Sequence, residues 1–122
     1  HTRFGGRMPP LPDWVQRGAI VRVHGGSAAV RERFARLRAA GVPLAGVWIE
    51  DWCGKRKTLF GTRLWWNWCV DRSRYPDWSE LIAELRAAGV RVVTYFNPYL
   101  VDTRDHAGHA RHLYAEARAR AL

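Results

Sequence analysis

The sequence predicts an α/β fold built on a parallel β-sheet. Three short apolar segments alternate with three amphipathic ones, in the order β-α-β-α-β-α. The segment that begins at Leu37 recurs with an identical sequence at Leu85, and each copy ends a helical pattern and leads into an apolar run. Because such alternation gives parallel strands joined by right-handed crossovers, two architectures fit: an open doubly wound sheet or part of a (β/α)8 barrel.

Three segments are predicted to be strands. They cover Ala19–Val23, Leu44–Ile49 and residues 90–96. The second and third are rich in β-branched and aromatic residues and lack a regular polar alternation, which is typical of parallel strands that are buried on both faces.

Two helices are predicted between these strands and a third after them. Gly41 and Gly89 follow the first two helical patterns, where a left-handed backbone costs glycine little, so each is expected to end its helix. The third helix is predicted at about residues 107–122. The first two helices each carry one apolar stripe, formed by Val30, Phe34 and Leu37 in one and by Trp78, Leu81, Ile82 and Leu85 in the other.

Length and composition bound the size of the structure. The chain has 122 residues, of which 48% are hydrophobic, and this is enough for a core. No apolar run reaches the roughly 18 residues of a membrane-spanning helix, so no membrane partner is predicted. Since a whole (β/α)8 barrel needs about 250 residues, residues 1–122 can hold at most a barrel fragment of about three βα units, and the open doubly wound sheet stays possible at this point.

The chain is strongly basic, with a formal net charge of +9. All of its basic residues except Lys55 and Lys57 are arginines, and they are spread from Arg3 to Arg120. A compositional preference for arginine explains this spread better than nucleic-acid binding, which needs a clustered basic face. We therefore expect no nucleic-acid partner, although a small basic α/β binding module stays open as an alternative.

Cysteine and histidine usage predicts no metal site. Cys53 and Cys69 are too few for a disulfide scaffold or a four-cysteine zinc site, and free thiols are typical of the reducing cytoplasm. His106, His109 and His112 recur at three-residue steps on the predicted third helix, with no acidic or cysteine partner placed with them. A solvated helix face is the expectation, and neither a metal nor an organic cofactor is implied.

The connection from residue 50 to residue 76 is the unusual segment. It has about 26 residues, whereas βα loops usually have about 2–6. Enzymes of the α/β class place their sites on loops at the carboxyl ends of parallel strands, so this segment is the candidate site. It contains four of the seven tryptophans, namely Trp52, Trp65, Trp66 and Trp68.

Two acidic residues, Glu50 and Asp51, end the second predicted strand. Adjacent strand residues point to opposite faces, so the two are poor candidates for a glycosidase couple, whose carboxylates share one site. We expect one of them to contact substrate and the other to pack or cap the strand, and two solvated acids at a strand end are an equally open alternative.

Arg63 and Trp66 are three residues apart, which in a helical turn places them side by side. The arginine fork and the indole N–H together suit a tetrahedral oxyanion such as phosphate, sulfate or sulfonate. A cation–π stack that holds the loop to its scaffold fits the same spacing.

His24 follows the first strand and is a candidate ligand contact, or else a strand-end residue without a ligand. Gly25 and Gly26 come next, but the full glycine pattern of a dinucleotide site is absent.

Residues 8–100 resemble the start of the catalytic barrel of glycoside hydrolase family 31. The resemblance lies in the entry PPLPDW at 9–14, the strand end VWIEDW at 47–52 and the helix lead YPD at 75–77. Within that family, FGTRLWWNW at 60–68 and NPY at 97–99 are similar to the sulfoquinovosidases.

The resemblance implies a retaining α-glycosidase that hydrolyses α-sulfoquinovosides, glycosides of a 6-sulfonated glucose. It implies that Arg63 and Trp66 grip the sulfonate, that Glu50 contacts sugar hydroxyls, and that His24 stands where glutamine or lysine is expected. The catalytic Asp nucleophile and Asp acid/base are expected on later strands, so no residue here is assigned as catalytic and the 122-residue chain alone is expected to be inactive. An α-glucosidase or α-xylosidase of the same family is the alternative, although a neutral C6 leaves Arg63 nothing to pair with.

Overall fold

The computed structural model describes residues 2–120. Helices α1 to α4 cover Thr2–Gly5, Ser27–Ala39, Trp78–Ala87 and Leu113–Ala119, and a 3-10 helix covers Asp13–Arg17. Strands β1 to β5 cover Ala19–Val23, Leu44–Ile49, Lys55–Thr58, Gly61–Leu64 and Arg91–Thr94. None of the helices in this part of the chain is long and apolar enough to cross a lipid bilayer.

Three of the strands form the predicted parallel sheet, in the order β1-β2-β5. The predicted bounds of β1 and β2 are confirmed, and Val47 in the central strand pairs with Val21 on one side and Val92 on the other. The third strand is shorter than predicted at both ends. Val90 is excluded because its backbone N–H still bonds to the carbonyl of Leu85 as α3 ends, and the strand stops at Thr94, before Tyr95 and Phe96.

Helices α2 and α3 pack on the same face of this sheet. Val30 of α2 and Leu81 of α3 join Val47 and Ile49 of β2 in one buried cluster. Arg31 of α2 also forms salt bridges with two carboxylates that belong to α3 and its N-cap. Helices on one face are typical of a barrel segment, whereas a doubly wound sheet carries helices on both faces.

Two glycines end these helices as predicted. Gly41 has φ +68° and Gly89 has φ +76°, the left-handed backbone that lets the chain leave a helix without a Cβ clash. The repeated sequence is therefore a repeated helix-to-strand junction.

The long connection between β2 and α3 contains an antiparallel hairpin that the sequence pattern did not predict. Strands β3 and β4 pair from Lys55 with Leu64 to Thr58 with Gly61. The hydroxyl of Thr58 accepts the N–H of Phe60 and donates to the Gly61 carbonyl, which closes a two-residue turn. The strand residues are mostly polar or charged, so they lack the apolar alternation by which strands are recognised.

Helix α4 is shorter than the predicted span of residues 107–122. It begins at Leu113, whose backbone N–H donates to the side-chain carbonyl of Asn67 at 2.9 Å. The amide nitrogen of Asn67 donates in turn to the carbonyl of Arg111 at 2.8 Å. A buried residue from the long connection thus determines where the helix starts, while residues 121–122 lie outside the described residues.

The expectation of three histidines on a solvated helix face is wrong. His106 and His109 precede α4, and His109 is buried. An acidic partner is present as well, because His106 Nε2 lies 2.9 Å from a carboxylate oxygen of Asp71. Sequence spacing could not reveal this contact, since the two residues are 35 positions apart.

Candidate substrate-binding site

The carboxyl ends of the three parallel strands lie side by side. Ile49, the last residue of β2, pairs with the last residues of β1 and β5. The N–H of Glu50 donates to the carbonyl of Val23 at 3.2 Å. His24, Glu50 and Tyr95 directly follow the three strands and therefore lie together where the strands end, at what we call the carboxyl edge of the sheet.

Glu50 is held as a carboxylate by two cations. Its Oε2 accepts hydrogen bonds from Arg22 at 2.6 Å and from Lys55 at 3.3 Å. Partial burial raises the pKa of the Glu50 carboxyl, but the hydrogen bonds from Arg22 and Lys55 outweigh it, so the pKa lies below its ordinary value. Glu50 is therefore a hydrogen-bond acceptor and a poor proton donor at neutral pH.

Asp51 has a different environment from its neighbour. It is completely buried and accepts hydrogen bonds from the Tyr75 hydroxyl at 2.5 Å, the Gly25 N–H at 3.1 Å and Arg74 at 2.8 Å. Burial, and then the bond to Asp51, raises the pKa of the Tyr75 hydroxyl above its ordinary value. Asp51 is the structural member of the acidic pair.

The glycine pair after β1 forms the turn that meets this network. Gly26 has φ +96°, and a Cβ there would collide with the carbonyl of Arg74. Its N–H bonds to the Tyr75 hydroxyl at 3.3 Å. The need for glycine at Gly26 is thus explained by close backbone packing.

His24 is exposed at the carboxyl edge. It lines a cavity of about 220 Å³ beside β1 together with Arg22, the partner of Glu50. The structure therefore brings His24 and Glu50, two of the predicted site residues, to neighbouring positions.

Tryptophans attach the long connection to the end of β5. The indole of Trp52 donates to the carbonyl of Tyr95, and that of Trp68 donates to the carbonyl of Tyr99, both at 2.9 Å. The ring of Trp68 also packs on Phe96, with ring centres 4.9 Å apart. These contacts order the connection above the carboxyl edge of the sheet.

Arg63 is exposed on β4, opposite Arg56, so the helical turn by which it was expected to lie beside Trp66 is absent. Arg56 lies over the ring of Trp65 at 5.1 Å, whereas no carboxylate in residues 2–120 forms a salt bridge with Arg63. The cation–π stack weighed for Arg63 is thus made by its cross-strand neighbour.

Trp66 lies just beyond β4 and packs on Tyr99, with ring centres 5.6 Å apart. Within the described residues its indole N–H has no hydrogen-bond acceptor, in contrast to the indoles of Trp52 and Trp68. The donor of Trp66 is therefore available for a ligand.

The aromatic residues that follow β5 were not predicted as candidate site residues, and Tyr95 and Phe96 were expected inside the third strand. Tyr95, Phe96 and Tyr99 all have more than a third of their surface exposed, although their neighbours are tryptophans. Their position directly after an apolar strand was the available signal, because that is where α/β folds place ligand contacts.

Comparison with known proteins identifies the family. The model of the glycosyl hydrolases family 31 TIM-barrel domain matches residues 9–122. The chain belongs to glycosyl hydrolase family 31.

Two curated relatives of the chain are sulfoquinovosidases. The chain is 47% identical to the enzyme of Agrobacterium fabrum strain C58 over 95 residues, which cover 78% of this chain and 14% of that protein. It is 37% identical to the enzyme of Escherichia coli strain K12 over 104 residues, covering 85% of this chain and 15% of that protein. The chain thus spans about a seventh of the length of these relatives.

Solved structures of family 31 agree with this fold. A sulfoquinovosidase from E. rectale, in complex with the aza-sugar inhibitor IFGSQ, superposes with a TM-score of 0.84 at 39% identity, over 98% of this chain and 17% of that one. An α-xylosidase from a soil metagenome, complexed with xylose, superposes with a TM-score of 0.63 at 17% identity, over 93% of this chain and 15% of that one. At that identity the α-xylosidase supports the fold alone.

Proposed function

We propose that this chain is part of the catalytic (β/α)8 barrel of a sulfoquinovosidase, an α-glycosidase that releases sulfoquinovose from small-molecule α-sulfoquinovosides. The observation that carries the proposal is the similarity to two sulfoquinovosidases at 47% and 37% identity. In this proposal β1, β2 and β5 are neighbouring barrel strands and residues 1–122 are one segment of the domain. The free thiols of Cys53 and Cys69 favour a cytoplasmic location.

The hairpin supplies the charge that a sulfonate needs. Strands β3 and β4 carry Lys55, Arg56, Lys57 and Arg63 and no acidic residue. A sulfonate stays ionised throughout the physiological pH range. A cation that forms no salt bridge with a carboxylate of the protein is therefore suited to pair with it. A charge-assisted hydrogen bond of this kind contributes about 1.5–3 kcal/mol. We assign this contact to Arg63 and a second hydrogen bond to the free indole N–H of Trp66.

Glu50 and His24 are assigned to the sugar ring. Both cations that bind Glu50 contact its Oε2, so its Oε1 has no donor among residues 2–120 and can accept from a sugar hydroxyl. His24 stands beside it at the carboxyl edge and is exposed. We assign no catalytic residue here, because the nucleophile and acid/base aspartates of the family are expected on later strands.

Substrate selectivity of an Arg63→Ala variant tests the proposal in the complete enzyme that contains this segment. Loss of the guanidinium should lower kcat/KM for an α-sulfoquinovoside at least about 100-fold, because the sulfonate loses a charged donor. With the matching α-glucoside the change should be far smaller. Lys57→Ala, which removes one charge from the same hairpin, is the control for a general electrostatic effect.

Equal losses on both substrates would contradict the sulfonate assignment and favour a structural role for Arg63. A wild-type enzyme with higher kcat/KM for a neutral α-glucoside or α-xyloside than for the sulfoquinovoside would overturn the proposed function itself.

A further inference from the structure

Three potential metal ligands from two distant segments meet beside the hairpin. Asp71, His106 and His109 each offer a ligand atom, and the three atoms lie within 4.8 Å of one another. The imidazole rings of the two histidines are 4.6 Å apart, and that of His106 stacks on the indole of Trp65. None of the three belongs to the candidate substrate-binding residues.

The tautomer of His109 is determined by its surroundings. Its Nε2 lies 2.9 Å from the carbonyl of Cys53, which can only accept, so Nε2 carries the hydrogen. Nδ1 is then unprotonated and carries a lone pair that can bind a metal ion. It is buried without a hydrogen-bond partner, in a residue that is only 6% exposed. A ring that donates one N–H to a backbone carbonyl and presents its other nitrogen is the usual state of a histidine that binds metal.

Asp71 is equally constrained. Its Oδ1 accepts from the N–H and hydroxyl of Ser73 at 3.0 and 2.5 Å, which leaves Oδ2 facing His106 Nε2 at 2.9 Å. A Cβ at Gly54 or at Gly108 would collide with this carboxylate, so both positions leave room for it. The hydrogen bonds to Oδ1 thus orient the carboxylate, and Oδ2 points toward His106.

We propose that Asp71 Oδ2, His106 Nε2 and His109 Nδ1 bind a divalent transition metal ion, with Zn²⁺ as the best match. Two imidazole nitrogens and one carboxylate oxygen are a donor set that zinc commonly takes, with water as a fourth ligand. Binding requires an unprotonated His106 Nε2, so the hydrogen bond between His106 and Asp71 is exchanged for two metal bonds.

The proposed ion has a structural role. Asp71 belongs to the long connection that carries the hairpin, and the two histidines belong to the segment that leads into α4. A metal ion would clamp these segments together and hold Trp65, whose ring contacts both histidines. The proposal does not rest on the sulfoquinovosidase assignment, since it concerns metal binding and not turnover.

Titration of the EDTA-treated protein with Co²⁺, followed by visible absorption, tests this site. We expect d–d absorption bands whose intensity saturates at one equivalent of Co²⁺. Addition of Zn²⁺ should displace the Co²⁺ and remove these bands. In His106→Ala and in His109→Gln the Co²⁺ affinity should fall at least about 100-fold. His112→Ala is the matched control, because His112 bonds to Thr103 and lies outside the cluster, and its affinity should stay unchanged.

Thermal unfolding with Zn²⁺ or EDTA provides a second readout that does not depend on a variant. The midpoint temperature of wild-type unfolding should be higher with Zn²⁺ than with EDTA, because an ion that binds only the folded state stabilises it. Absence of Co²⁺ bands in folded wild-type protein would overturn the proposal, and so would wild-type affinity in both His106→Ala and His109→Gln. If those variants fail to fold, an unchanged wild-type midpoint in Zn²⁺ and EDTA overturns it.

Discussion

A salt bridge of 2.6 Å joins Arg22 on the edge strand β1 to Glu50 at the end of β2. Lys55, at the start of the hairpin, reaches the same oxygen of Glu50. One carboxylate thus connects two strands of the parallel sheet with the hairpin that carries Arg63, which makes Glu50 the residue whose substitution is most informative.

In the complete enzyme that contains this segment, Glu50→Gln should affect catalysis less than Glu50→Ala. Glutamine keeps the size of the side chain and one acceptor oxygen, so kcat/KM for an α-sulfoquinovoside should fall less than about tenfold, with a clearly larger loss in Glu50→Ala. Steady-state kinetics of both variants across pH will measure this. The pH–rate profile should keep its shape in Glu50→Gln. Complete inactivity of that variant, rescued by azide, would instead make Glu50 the nucleophile.

The Glu50 ion pairs should give a defined pH dependence of stability. The folded-state pKa of Glu50 is lowered, so the unfolded chain binds its proton more readily and the pairs stabilise the fold above the ordinary pKa of 4.5. This contribution is lost as the pH falls through the lowered value. Urea unfolding should show Glu50→Gln less stable than wild type by about 0.5–1 kcal/mol at pH 7, a size suited to partly exposed pairs. The difference should shrink progressively as the pH falls below 4.5, and a difference that stays constant with falling pH would contradict the assignment.

In the complete enzyme, Trp66→Phe should weaken sulfonate recognition while keeping an aromatic ring that packs on Tyr99. Loss of the indole donor should raise KM for an α-sulfoquinovoside about ten- to a hundredfold, because a hydrogen bond to an anion is removed. The control is Trp68→Phe, whose indole N–H is already bonded to the Tyr99 carbonyl. That variant should lower thermal stability and leave the ratio of sulfoquinovoside to glucoside activity unchanged. The same ratio in both variants would remove Trp66 from the sulfonate site.

Tyr75→Phe should destabilise the fold. The Tyr75 hydroxyl is buried and donates to the fully buried Asp51 carboxylate, so its loss leaves a buried charge with one donor fewer. We expect a decrease of about 1–3 kcal/mol in the free energy of unfolding, measured by urea denaturation. Tyr99→Phe, at an exposed tyrosine, is the control and should change stability little. An effect of equal size in the two variants would show that the Asp51 network contributes nothing specific.

The sequence alone determined the parallel part of the fold. The apolar runs predicted β1 and β2 with the observed bounds, and Gly41 and Gly89 indicated where two helices end. These features are local. Each depends on the periodicity of a few consecutive residues or on the φ angle of one residue, both of which are written in the order of the amino acids.

Only the tertiary structure decided the geometry around the tryptophan-rich connection. The hairpin escaped prediction because its strands are mostly polar or charged and lack the apolar alternation by which strands are recognised. The start of α4 depends on Asn67, which lies 46 residues before Leu113, and the Asp71–His106 contact spans 35 residues. Such contacts form when separate segments pack together and satisfy each other's buried polar groups, so neither helix propensity nor residue spacing could predict them.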